Sequence, residues 1–238
     1  MTDAPAPERA ARWGMGDAVI GVAASFVLSQ IGILVIFAAG GYSTGDDLPL
    51  WLTAIAEVPL WLGMIGTVVW ASRTKGTGSL RNDFRLEMRW VDIPLGLVAG
   101  FAGQLAIVAI VIPVYRLLGI DTDEVGQTAE KLADRAVHAP DVLLLVLVVV
   151  LGAPVVEELF YRGLFLRAVE RRWGGGVAIV LTSAVFAALH FQPYDFLALF
   201  LFGVIAAVLA VRTGRLGPGI WAHLAFNLTA VISLLSSR

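Results

Sequence analysis

The chain has 238 residues, 58% of them hydrophobic and 15% charged, with a mean hydropathy of +0.82 and a formal net charge of −2. Soluble domains carry about 25% charged residues, so this composition speaks against a water-soluble domain, and without a basic face no nucleic-acid partner is expected. There are no cysteines, which removes disulfides, thiolate metal ligands and a cysteine nucleophile.

In chain order, residues 1–16 read as a disordered cytosolic tail, Ala/Pro-rich and polar as far as Trp13. The apolar run behind it is too long for a signal-peptide core and has no A-x-A cleavage site, so it is a first membrane span. Residues 17–238 read as a single integral-membrane domain, all-α. The expected architecture is a polytopic bundle of about seven transmembrane helices, with room for one more amphipathic or partial helix. Spans are expected at 17–40, 49–72, 91–115, 141–165, 176–192, 194–212 and 217–236. Each suits a hydrocarbon core of about 30 Å at about 1.5 Å per residue, the fifth being short.

The connections alternate in charge. Arg73, Lys75, Arg81, Arg85 and Arg89 follow the second span, Arg167, Arg171 and Arg172 the fourth, and Arg212 and Arg215 the sixth. The segment 42–50 carries Asp46 and Asp47 without a cation, and 116–141 sets Arg116, Lys131 and Arg135 against six carboxylates. Counting Arg9, Arg12 and Arg162, thirteen of the seventeen Lys and Arg fall on one side. That bias puts the N-terminus in the cytosol and the C-terminus outside, in what reads as a bacterial cell membrane. The stretch 121–140 suits a short amphipathic helix on the outer surface. Gly96, Gly100 and Gly103 form a small-residue face in the third span, expected to serve close helix packing.

Three apolar stretches carry ionisable or amide groups at helical spacing: Glu157-Glu158-x-x-x-Arg162, Phe186-x-x-x-His190 and His223-x-x-x-Asn227. A charge at mid-bilayer costs about 2.5–3.5 kcal/mol on insertion scales, so such groups need a reason to be there. Glu158 and Arg162 are four residues apart and share a helix face, while Glu157 points about 100° away. Read alone, the fourth span's charges could equally snorkel to the inner interface. Two histidines within spans, beside a glutamate pair and an asparagine, make that reading less economical. The third histidine, His138, lies in the outer polar segment.

In this order on successive spans, these motifs resemble those of the CAAX prenyl protease and bacteriocin-processing (CPBP) family of intramembrane endopeptidases. The resemblance covers about residues 141–236, and all six key positions match the family pattern. It implies that Glu157 is the general base toward water, assisted by His190, that His223 and Asn227 stabilise the oxyanion, and that Glu158 and Arg162 hold the site in place. Peptide hydrolysis needs such a base and such donors. The family is commonly classed among metalloproteases, and Glu157, His190 and His223 would be the ligands of a divalent metal such as zinc. However, no H-E-x-x-H pair is present, and Glu/His-activated water without a metal is equally compatible. The implied substrate is a peptide or membrane protein met at the lipid bilayer, and no motif selects its identity or requires a prenyl group.

Straight helices drawn over the expected spans place Glu157 about 24 Å below the outer end of its span, His223 about 9 Å above the inner face, and His190 about 21 Å above it. His190 therefore comes out too high, which a kink at Gly152-Ala153-Pro154 or a deeper fifth span would correct. A water-filled cavity open to the cytosol would serve a hydrolase. Glu57, a further carboxylate in the second span, could support the site or face outer water. Two other classes fit intramembrane Glu and His: a proton- or cation-coupled transporter, and a catalytically silent scaffold on the same fold.

Overall fold

A computed structural model describes residues 12–43 and 45–237. Of the tail expected over 1–16, residues 1–11 lie outside the described residues. Residues 12–16 do not behave as a tail. Trp13 is buried against Phe84, and the Arg171 guanidinium stacks on its ring 3.7 Å from the centroid.

All described secondary structure is helical. Six helical elements are long and apolar enough to cross a membrane: α1 (Met15–Gly40), α2 (Leu50–Lys75), α4 (Asp92–Leu117), a 50-residue element over Ala139–Ala188, α9 (Phe196–Thr213) and α10 (Gly217–Ser236). Two short helices lie between spans, α3 (Leu80–Phe84) and α5 (Gln127–Asp134). The long element is composite. It runs through α6 (Ala139–Leu145), a first π-helical segment (Val146–Gly152), α7 (Ala153–Glu157), a second π segment (Glu158–Phe165) and α8 (Leu166–Ala188).

The fourth and fifth expected spans are thus the two arms of this one element. Helix continues past residue 165 to a corner at Gly174, whose φ of 79° and ψ of 167° belong to glycine. The arms return alongside each other: Arg162 lies over the Phe186 ring at 4.5 Å, and the Tyr161 and Phe186 rings meet edge-on at 5.2 Å.

The outer surface is apolar, as with Leu34 at 66% and Val98 at 68% exposure, while Glu158, Arg162 and His223 are buried. That inverted distribution belongs to a polytopic membrane bundle. Small residues bring helices close. Gly63 of α2 abuts Ser25 of α1, and Gly32 of α1 abuts Pro59 of α2. The expected glycine face packs as anticipated, Gly96 and Gly100 lying against Pro218, Trp221 and Ala222 of α10 and Gly103 against Ile205 of α9.

Polar tethers sort the connections to two ends of the bundle. At one end Lys75 Nζ binds Asp17 Oδ1 at 2.6 Å, Arg215 clasps Asp92, and the Leu216 and Gly217 N–H groups donate to the Arg85 and Glu87 carbonyls. At the other, the Gly126 N–H donates to Asp195 Oδ1 at 2.8 Å, and Arg135 donates to Asp47 and to the Leu48 carbonyl. The alternating topology read from charge is the one these tethers require. The segment 121–140 contributes one amphipathic helix, α5, bound at both ends by the second set of tethers.

Candidate active site

Gly174 settles the depth of His190. Glu157 lies seventeen residues before the corner and His190 sixteen after it, so both stand about 25 Å above it. The expected mismatch came from ending the fourth span at 165, nine residues above the true turn. His223 arrives at this level from a sunken start: Leu216 and Phe84 both flank Gly163, which puts the first turn of α10 about 16 Å above the corner and His223 about 9 Å higher.

Glu158, fully buried, is the hub. Its Oε1 accepts from Arg162 Nη1 at 2.8 Å and from His223 Nδ1 at 3.1 Å. Arg162 also donates from Nη2 to the Gly203 carbonyl on α9 at 3.2 Å. The other carboxylate oxygen, Oε2, is buried without a hydrogen-bond partner among the described residues and sits against Gly219, where a Cβ would lie 2.9 Å from it. Glycine there lets the carboxylate reach the first turn of a 20-residue helix, where the helix dipole favours negative charge.

The same bond defines His223. A carboxylate in this position accepts, so Nδ1 carries the proton and Nε2 is left facing Glu157 Oε2 at 3.9 Å. That separation is ionic reach and too long for a direct hydrogen bond. Phe202 and Phe186 flank the ring at 4.6 and 6.0 Å.

Glu157, His190, His223 and Asn227 line one cavity of about 380 Å3, together with Glu57 and Tyr161. Glu158 and Arg162 stand behind its wall. Glu157 is nearest to His223 rather than to His190, the assistant that the resemblance implies. His190 Nδ1 donates to the Phe186 carbonyl at 2.6 Å, which fixes its tautomer because that oxygen can only accept. The turn that presents His190 holds Phe191 at a φ of 54°, with its ring edge-on to Phe26 of α1 at 5.5 Å. Asn227 Nδ2 donates to the Val149 carbonyl at 2.8 Å.

Among the described residues no three His, Asp or Glu side chains form a group able to hold a metal ion, although Glu157, His190 and His223 line the same cavity. One expectation needs correcting. The cavity does not open to the cationic end. Its lining climbs through Thr53 and Leu50 to Thr128, Ala129 and Leu132 of α5, while Phe84, Gly163 and Leu216 pack together at the other end. Sequence spacing gave no sign of Tyr161, Phe202 or Gly219 as parts of this site. Glu57 was visible only as an unexplained intramembrane carboxylate.

Residues 139–229 match the family described as type II CAAX prenyl endopeptidase Rce1-like. That segment contains all six motif residues, and over it the resemblance carried by the motifs is borne out. A protein of Escherichia coli described as an uncharacterized 24.3 kDa protein is 34% identical over 97 residues, covering 39% of this chain and 44% of that relative. The chain thus matches less than half of the relative's length. No solved structure matches.

Proposed function

We infer that the chain is an intramembrane endopeptidase, hydrolysing a peptide bond of a peptide or membrane protein in or near the bilayer by Glu/His-activated water. The observation that carries this reading is the convergence of Glu157, His190, His223 and Asn227, from three helical stretches far apart in sequence, on one cavity, with an ion pair buried behind it. The match of residues 139–229 to a prenyl endopeptidase family supports the same reaction class.

In this reading Glu157 takes a proton from water as the oxygen attacks the scissile carbonyl carbon. The developing oxyanion is met by the second N–H of Asn227 Nδ2 and by His223, whose Nε2 becomes a donor once it takes over the water proton from Glu157, a kind of contact worth about 10²–10³ in rate per donor. Collapse breaks the C–N bond, and the leaving nitrogen takes up a proton from the site. Glu158 and Arg162 touch no substrate; they fix the rotamer and tautomer of His223. The charge bias of the connections supports an N-terminus in the cytosol and a C-terminus outside, and in that orientation the cavity would be approached from the outer side beneath α5.

The test is Glu157→Gln in the full-length protein. The membrane proteome and secreted peptides of cells carrying it should accumulate uncleaved substrates relative to wild type, with the variant folded and present at equal level. Unchanged peptide profiles at equal expression would overturn the reading in favour of a scaffold.

A further inference from the structure

We propose that a second cavity, at the fork between α4 and α10, is a peptide subsite. It seats apolar side chains of the substrate beside the scissile bond while the Gln104 amide pairs with the substrate backbone; the inference rests on the hydrolase reading. This cavity, of about 460 Å3, lies against the catalytic one, and Leu145, Val149, Phe226 and Asn227 line both. Gln104 belongs to none of the three motifs and lies outside the matched segment.

The fork follows from where the glycines stop. At one end of the bundle α4 and α10 are held together, Gly96 against Pro218 and Trp221, and Gly100 against Ala222 and Ala225. Gly103 makes the last such contact, with Ile205 of α9. From Gln104 to Leu117 α4 has no further glycine, and α10 has none after Gly219. Close approach depends on small residues, and past them the helices part around Gln104 and Val111 of α4 and Ala230 and Val231 of α10. Asn227 lies between the packed and the parted stretches of α10. Val108, 51% exposed on α4, borders the same space, which is therefore open sideways toward lipid. Ala129 and Leu132 of α5 line this cavity as they do the catalytic one.

The polar groups of the lining decide what enters. Asp195 is the one ionisable group among the described residues there, and it is bound to the Gly126 N–H. Nothing in the space would neutralise a charged side chain, so aliphatic ones fit. Gln104 Oε1 is buried without a hydrogen-bond partner among the described residues, a costly state for an acceptor. A lipid tail brings no donor to it. A peptide unwound for cleavage does, because its N–H and C=O groups need partners wherever water is absent. A glutamine amide offers one acceptor and two donors to match. With the scissile bond beside Asn227, flanking residues follow at about 3.3 Å each along an extended chain, which carries them into this space.

The chain has no cysteine, so Ala230→Cys creates a unique thiol inside the cavity. In full-length Glu157→Gln protein in detergent micelles, acetyl-Leu-Leu-Leu-Leu-amide should protect that thiol saturably from N-ethylmaleimide. Gln104→Leu should raise the half-protecting concentration about tenfold, as expected on losing one backbone hydrogen bond. The ester analogue of the peptide, which keeps the side chains but has oxygen in place of each internal N–H, should be about tenfold weaker without any change at Gln104, and equally weak in Gln104→Leu. That comparison serves even if the leucine variant folds poorly. No saturable protection by the peptide, protection by oleic acid and not by the peptide, or equal potency of peptide and ester overturns the subsite. The two readings fail separately, since protection is read without cleavage. A Glu157→Gln protein that still cuts a quenched-fluorescence peptide pool would sink the hydrolase while leaving the protection result intact. An inactive Glu157→Gln protein that the peptide does not protect would sink only the subsite.

Discussion

Asn227 on α10 donates to the carbonyl of Val149, and Pro154 is the reason that carbonyl is free. In the first π segment the bonds run from residue i to i+5, as in Ala153 N–H to Val148 O. The next bond in this register would reach Val149 from residue 154, and proline has no N–H to give. Asn227 fills the gap at 2.8 Å, which ties α10 to the long element beside the cavity.

This bond gives Asn227 a structural role that can be separated from its proposed catalytic one. Asn227→Ala should cost about 1 kcal/mol for the unpaired carbonyl, and about 10²–10³ in cleavage rate if the oxyanion contact is real. Pro154→Ala in that background supplies the missing N–H and should recover thermal stability in detergent without recovering cleavage. Recovery of both would reduce Asn227 to a structural tie.

The Glu158–Arg162 pair is fully buried, so its halves are unequal to its whole. Arg162→Met strands a carboxylate and should destabilise by about 3–5 kcal/mol. Replacing both, Glu158→Met with Arg162→Met, should restore much of the folding free energy measured by thermal unfolding, yet leave the protein inactive because His223 loses its anchor. A double variant as unstable as Arg162→Met would contradict the account.

Gly219 tests the hub from the other side. A methyl at this position meets Glu158 Oε2 at 2.9 Å, closer than packing allows, and should displace the carboxylate from His223. Gly219→Ala is expected to fold but lose at least about tenfold in cleavage rate, in line with the penalty for small misplacements at a site. Gly66→Ala, where nothing lies within 4 Å, is the matched control and should be silent.

Over the cavity, α5 is held by Asp195 through the Gly126 N–H and by Arg135 through Asp47 and Leu48. Asp195→Ala should release one end. Hydrogen exchange read by mass spectrometry should then rise in peptides spanning 119–134 and stay unchanged in those spanning 160–172, since local opening follows local tethering. Uniform acceleration would mean that the tether supports the whole bundle instead.

Much of this was legible in one dimension. Runs of apolar residues near the length of a bilayer fix helices, and a fourfold interval is enough to put Glu158 and Arg162 in contact. The alternation of Lys and Arg between connections gave a topology that the tethers then require. Helix boundaries were another matter. The residues between 165 and 174 are rich in arginine and read as a loop, because hydropathy cannot tell a polar helix from a polar turn. Arg171 stacked on Trp13 and Arg167 bonded to the Ala210 carbonyl of α9 hold this stretch against the bundle as helix as far as Gly174.

The sequence by itself determined which side chains are costly in a membrane, and so which ones needed a purpose: Glu157, Glu158, Arg162, His190, His223, Asn227 and, less clearly, Glu57. Tertiary structure decided how they pair. Glu157 faces His223 and not His190, Glu158 rather than Glu157 holds the His223 ring, and Glu57 enters the cavity from a helix a hundred residues away in the chain. Spacing along a helix fixes only the direction of a side chain around its own axis. Which directions meet depends on where helices start and bend, and here on a glycine corner, a sunken helix start and a missing proline N–H, none of which is encoded in the spacing of the motifs.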